Sequence, residues 1–111
     1  MSQTEAELRR LSILAAIRAV PAGRTASYGQ IARRAGFPRC ARLVARILSE
    51  ADAALPWHRI VRSDGRIAFP PGSAAFDEQV ARLRGEGVAV TGGRVRSTGD
   101  ADAWLDQVLW G

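Results

Sequence analysis

Arginine, one cysteine and one histidine are the residues of this chain with chemistry to offer. All 16 basic residues are arginine, against 11 acids, for a net charge of +5. A guanidinium is planar, always charged and shaped to fork onto phosphate or carboxylate, so the composition favours partners that present bidentate anions. The charge is uneven. From Arg18 to Arg66 ten arginines face only Glu50, Asp52 and Asp64, whereas Ser97 to Gly111 holds three aspartates and no base. One basic face with an acidic tail directed elsewhere is the expectation. On a helical wheel of ~100° per residue, Arg39, Arg42 and Arg46 fall together, away from Leu43, Val44, Ile47 and Leu48. Such a stripe suits a phosphate backbone; it also suits a plain solvated helix face. Cys40 is the single cysteine. It has no disulfide partner, and no second cysteine or nearby histidine gives zinc-ligand spacing, so neither a metal nor a cofactor is expected.

These residues need elements to hold them. Thr4 with Glu7 is a capping-box pattern, and Leu8, Leu11, Leu14, Ala15 and Ile17 recur at helical spacing until Val20-Pro21-Ala22-Gly23. Ser27 with Gln30 repeats the box for a short second helix with Ile31, Ala32 and Ala35 inward, ended by Gly36. Pro38 suits the first turn of a third helix running to about Ser49. Two helices joined by Gly36-Phe37-Pro38 make a helix-turn-helix pattern over about residues 28–49. Trp57–Val61 and Arg66–Phe69 read as short extended segments around a turn at Ser63-Asp64-Gly65. Ser73 to Gly85 is amphipathic and helical, with Phe76, Val80 and Leu83 inward. Val88–Val90 and Arg94–Arg96 flank Gly92-Gly93 as a hairpin, and Asp100 can cap a last short helix carrying Trp104, Leu105 and Val108. The expected fold is α/β but mostly α, a winged-helix-like domain with a small β wing.

At 111 residues the chain suits one domain spanning 1–111. Its 47% apolar and 24% charged content is that of a globular protein. No apolar run is long enough for a bilayer, and the N-terminus lacks a secretory pattern, so a cytoplasmic protein with no membrane partner is expected.

Read in order, VPAGRTASYGQIA, ARLVA, LPWHRIVRSDGRI and RGEG resemble the C-terminal DNA-binding domain of the O6-alkylguanine-DNA alkyltransferases, from about Ile13 to Val90. The family motif Pro-Cys-His-Arg stands here as Pro56-Trp57-His58-Arg59. Tryptophan in place of the cysteine is the mark of the alkyltransferase-like proteins, and the family's separate N-terminal domain is missing. Alkyl transfer needs a thiolate, and an indole provides no such nucleophile. The resemblance therefore implies no catalytic residue: His58 and Glu86, the activating relay in the enzymes, persist as a hydrogen-bonded structural pair.

The resemblance implies a partner and a set of roles. Duplex DNA containing O6-alkylguanine is bound through its minor groove and the damaged base is flipped out, marking it for nucleotide excision repair proteins. Arg42 enters the stack, Tyr28 crowds the 3′ phosphate, and Ala41 and Ala45 let the helix approach the groove, with Arg39 and Arg46 beside them. The lesion pocket lies in about residues 55–73. Tyr28, Trp57, His58, Arg59, Ile60, Phe69 and Pro70 line it, Trp57 forms a wall, and the carbonyls of Trp57 and Ile60 read the guanine edge. Two departures from the family pattern stand out. Pro70 lacks the N–H that the enzymes offer to the guanine oxygen. The loop before Pro56 is about two residues short and lacks the asparagine hinge. The tail 97–111 matches nothing in the family, and a monomer is expected. Two other functions stay open: a sequence-specific helix-turn-helix regulator, and a residual alkyltransferase or other enzyme using His58, Glu86 or Cys40.

Overall fold

The computed structural model describes residues 4–50 and 54–95; the helix expected after Asp100 and the whole tail lie outside the described residues. Helix α1, Glu5–Arg18, starts as its sequence dictates: Glu7 N–H donates to Thr4 Oγ1, and the Glu7 carboxylate accepts from Thr4 N–H. Its buried side is Ile13, Ala16 and Ile17, whereas Leu8 and Leu11 are about half exposed. The apolar residues of this helix lie on more than one side, and the side that meets α2 and α3 becomes core.

Ala26–Ser27 (β1) leads directly into α2, Tyr28–Arg34. The Ser27/Gln30 box is complete, with Ser27 N–H to Gln30 Oε1 at 2.8 Å and Gln30 N–H to Ser27 Oγ at 3.1 Å. Gly36 takes φ of +93°, and around it Gly36 N–H bonds Arg33 O and Phe37 N–H bonds Ala32 O. That pair is a Schellman motif, which glycine closes without side-chain strain. Helix α3 runs Ala41–Glu50, not from Pro38. Cys40 N–H bonds Phe37 O at 2.9 Å, so residues 37–40 form a β-turn. Pro38 supplies the fixed φ favoured at the second position of such a turn, and Arg39 therefore sits before the helix rather than on it.

Trp57–Arg59 is a single 3-10 turn rather than the start of an extended segment. Arg59 N–H closes onto Pro56 O and Ile60 N–H onto Trp57 O. Five residues of mixed polarity carry too little periodicity to separate a turn from a strand. Ile60–Val61 (β2) pairs parallel with β1, Ala26 opposite Ile60 and Ser27 opposite Val61. Arg66–Phe69 is not a strand either: Arg66 alone bridges Arg94, while Ala68 and Phe69 bend away toward Pro70. Helix α4, Ala74–Gly85, begins with Ser73 Oγ accepting from Phe76 N–H. The hairpin is β3, Val90–Thr91, against β4, Arg94–Val95, so it starts at Val90 rather than Val88, and Arg96 lies outside the described residues. Gly92 and Gly93 both have positive φ, as its two-residue turn demands.

Two apolar clusters result. The first joins α1, α2 and α3 through Ile13, Ile17, Ile31, Val44, Ile47 and Ile60. The second joins α4 to the wing through Val61, Ile67, Leu83, Val88, Val90 and Val95. Successive strand residues point to opposite faces, so β2 sends Ile60 into one core and Val61 into the other. The architecture is mostly helical with a small wing, as the sequence leads one to expect.

Candidate nucleic-acid interface

Helix α3 places Arg42, Ala45 and Arg46 in solvent, with Ala41 half-buried at its start and Arg39 exposed in the turn before it. Val44 and Ile47, fully buried, fix the rotation of the helix and hence the direction of that stripe. In sequence, Tyr28 follows β1 and Arg62 follows β2, and the Arg62 charge acts on the Tyr28 phenol. Tyr28 is half-buried against the first core; its burial raises the phenol pKa, opposed by the nearby Arg62 guanidinium. Two residues of parallel pairing thus set the first residue of α2 beside the segment after the Trp57 turn.

Glu86 is positioned by helix termination. Val88 N–H bonds Leu83 O and Gly87 N–H bonds Arg84 O, a second Schellman motif, with Gly87 at φ +86°. Glu86 is thereby the cap residue, and its carboxylate gathers four donors. His58 Nε2 lies 3.0 Å from Oε2, Arg59 donates from Nε to Oε1 (3.0 Å) and from the terminal nitrogen to Oε2 (2.6 Å), and Gly23 N–H reaches Oε1 (3.4 Å). The bidentate Arg59 bond is the chief reason that the Glu86 pKa falls from 4.5 to about 2, with His58 and Gly23 adding to it and partial burial opposing. Arg59 also donates to Val20 O at 2.9 Å, tying the cluster to the end of α1.

His58 Nε2 faces the Glu86 carboxylate, which leaves Nδ1 as the ring nitrogen outside this cluster. Nδ1 is buried and has no hydrogen-bond partner among the described residues. The His58 and Ile60 carbonyls both accept from Gln79 Nε2 at 3.0 Å.

Trp57 is half-buried. Its ring meets His58 edge-on at 6.1 Å and Phe69 edge-on at 6.0 Å, and the Arg82 guanidinium lies 5.5 Å from its centroid. Phe69 is 38% exposed, the only large hydrophobic side chain outside α1 with so much surface among the described residues. Pro70 is exposed, and its carbonyl accepts both the N–H and the hydroxyl of Ser73, so the loop is turned into the cap of α4. Around position 57 stand the Phe69 ring and the His58–Glu86 cluster, and Cys40 is remote from them, packed on the first core just before α3.

Residues 9–88 match the model of the 6-O-methylguanine DNA methyltransferase DNA-binding domain. The chain belongs to this family. A DNA base-flipping protein of Vibrio parahaemolyticus is 35% identical over 83 residues, covering 73% of this chain and 81% of the relative. Alkyltransferase-like protein 1 of Schizosaccharomyces pombe is 33% identical over 93 residues, 82% of this chain and 83% of that one. Among solved structures, S. pombe Atl1 in complex with damaged DNA containing O6-carboxymethylguanine is similar at a TM-score of 0.73 and 28% identity, over 98% of this chain and 99% of that chain.

Against the family's DNA-binding domain, the sequence-derived residues fall into three groups. Trp57, His58 and Phe69 touch one another, and His58, Arg59 and Glu86 share one hydrogen-bonded cluster. Arg42, Ala45 and Arg46 share an exposed helix face, with Ala41 and Arg39 at its near end. The Trp57 and Ile60 carbonyls already accept from Ile60 N–H and Gln79 respectively, each keeping a second lone pair. Three residues were missed. Gln79 carried a signal, a polar residue between Phe76 and Leu83 on the inward side of α4. Arg62 and Arg82 carried none, because their positions beside Tyr28 and Trp57 depend on tertiary packing.

Proposed function

We propose that this member of the family recognises O6-alkylguanine in duplex DNA, flips it from the stack and leaves its alkyl group in place. The observation that carries the reading is Trp57, an indole where the enzymes of the family hold their nucleophile, beside a His58–Glu86 pair in contact at 3.0 Å. A relay with no thiol to activate serves as scaffold: it clamps the turn that holds Trp57. The names of the relatives, a base-flipping protein and an alkyltransferase-like protein, support the same reading, as does the damaged DNA bound to Atl1.

The physics of selection follows from the lesion. A guanine alkylated at O6 pairs poorly, so its extrusion costs less than the few kcal/mol that an intact base demands. The exposed face of α3 enters the minor groove, Arg42 fills the vacated space, and Tyr28 crowds the 3′ phosphate. Trp57 and Phe69 then offer apolar surface to the alkyl group, at about 0.8 kcal/mol per buried CH₂. The protein acts as a cytoplasmic monomer, without cofactor, and hands the marked site to nucleotide excision repair proteins. Competition binding between matched duplexes with and without one O6-methylguanine tests recognition, and a labelled alkyl group tests inertness. Preference for the damaged duplex with no label on the protein is expected; stoichiometric label would overturn the non-catalytic reading.

A further inference from the structure

Residues of helices α1 and α3 line an open cleft of about 340 Å³. Its floor is apolar, Leu43 and Ile47, and its rim carries Arg9, Arg10 and Arg46 against a single acid, Glu50. Arg46 belongs both to this rim and to the exposed stripe of α3, so it links the arginines of the recognition helix to those of α1. Arg10 and Glu50 approach at 3.4 Å with both side chains about half exposed, a pair that solvent screens and a stronger anion can displace.

Arg9 differs from an ordinary solvated arginine. Its guanidinium lies 5.0 Å from the centroid of Phe37, the residue in the turn between α2 and α3. Its only ion pair among the described residues is a long 3.5 Å contact to Glu5, and its Nε is buried with no hydrogen-bond partner among the described residues. An arginine held on an aromatic ring, about one-third exposed and with only one long ion pair among the described residues, presents its guanidinium to an anion in a fixed place.

We infer that Arg9 and Arg10 bind the phosphodiester backbone, extending the nucleic-acid interface from α3 across the cleft to α1. The inference rests on the DNA-binding reading above. A phosphate in the cleft would meet the exposed part of the Arg9 guanidinium and compete with Glu50 for Arg10, while deoxyribose meets the apolar floor. These contacts hold the duplex without reading its bases, so they strengthen binding to damaged and undamaged DNA alike.

The experiment measures affinity and its salt dependence, by fluorescence anisotropy, for matched duplexes with and without one O6-methylguanine. The proteins are the parent chain and the Arg10→Gln, Arg9→Gln/Arg10→Gln, Glu50→Gln and Arg42→Ala variants. The double variant is expected to bind both duplexes roughly tenfold or more weakly with the damaged-to-undamaged ratio unchanged, its salt slope reduced by about two. Glu50→Gln should bind both duplexes more tightly. If the double variant does not fold, Arg10→Gln alone, altering a half-exposed side chain, decides the matter with a slope loss of about one. An unchanged slope in a protein where Arg42→Ala still weakens lesion binding overturns the cleft assignment and leaves the lesion reading intact. Tighter binding by the double variant overturns it in favour of an acidic peptide as occupant, such as the aspartate-bearing segment Ser97–Gly111. Absence of DNA binding by the parent chain overturns both readings together.

Discussion

An indole at position 57 exchanges a reactive atom for a flat apolar surface, and the exchange can be measured. Trp57→Ala should reduce preference for alkylated over undamaged duplex, more for bulky O6 adducts than for methyl, because a larger adduct loses more apolar contact. Affinity for undamaged DNA and its salt slope should stay unchanged. Circular dichroism and thermal melting must first show the variant folded, since removing even a half-buried aromatic ring costs packing energy, up to the roughly 3–5 kcal/mol of a fully buried one. Full preference in a folded variant would reduce Trp57 to a space-filling residue. Glu86 makes a second prediction at this scale. Its folded pKa of about 2 lies below the ordinary 4.5, so the unfolded chain binds more protons between those values. Stability from this group is complete above pH ~4.5 and is lost as pH falls toward ~2; it amounts to the order of 3 kcal/mol. Unfolding titrations of the parent chain should show this acid-side loss, and Glu86→Gln should flatten it while lowering stability at neutral pH.

At the scale of elements, what the sequence revealed was what neighbouring residues decide among themselves. The capping boxes Thr4/Glu7 and Ser27/Gln30 span four residues each, so residue identity suffices to place both helix starts. Gly36 was legible for the same reason, as a helix stop that requires a left-handed backbone. Gly36→Ala should therefore destabilise the fold by about 1–2 kcal/mol through backbone strain alone, since a Cβ there meets nothing within 4 Å. A lowered thermal midpoint with unchanged lesion preference is the expected result. Pro38 is ambiguous in sequence because one residue type starts both helices and β-turns, and the hydrogen bond from Cys40 N–H to Phe37 O decides for the turn. Pairing of Ala26 with Ile60 was invisible, for nothing local to either residue specifies a partner 34 positions away. The site shows the same division. Its residues were found through the family motif, but Arg62, Arg82 and Gln79 join it through packing. Arg42 belongs to the helix that presents it: Arg42→Ala should weaken lesion binding by about the few kcal/mol needed to unstack a base. A fluorescent analogue at the lesion position should report less flipping.

For the whole molecule, charge and packing divide the work. The arginine surface should make affinity for undamaged duplex fall steeply with salt, log K against log salt giving a straight line with about −0.9 per neutralised phosphate. A flat response would remove the phosphate-tracking role from the stripe. Packing separates the helical half from the wing half, and the polar cluster of His58, Arg59, Gln79 and Glu86 lies along their junction.

The junction itself runs through one peptide bond. Ile60 belongs to the first core and Val61 to the second, and the turn that carries Trp57 ends one residue earlier. Length is consequently as constrained here as identity. A single residue inserted or deleted between Trp57 and Ile60 would shift the turn against β2 by one residue, so that either Ile60 and Val61 exchange sides or Trp57 moves off the Phe69 edge. The spacing from Trp57 to Val61 is therefore expected to tolerate substitution better than any change of length, which one-residue insertion variants compared by thermal melting would show.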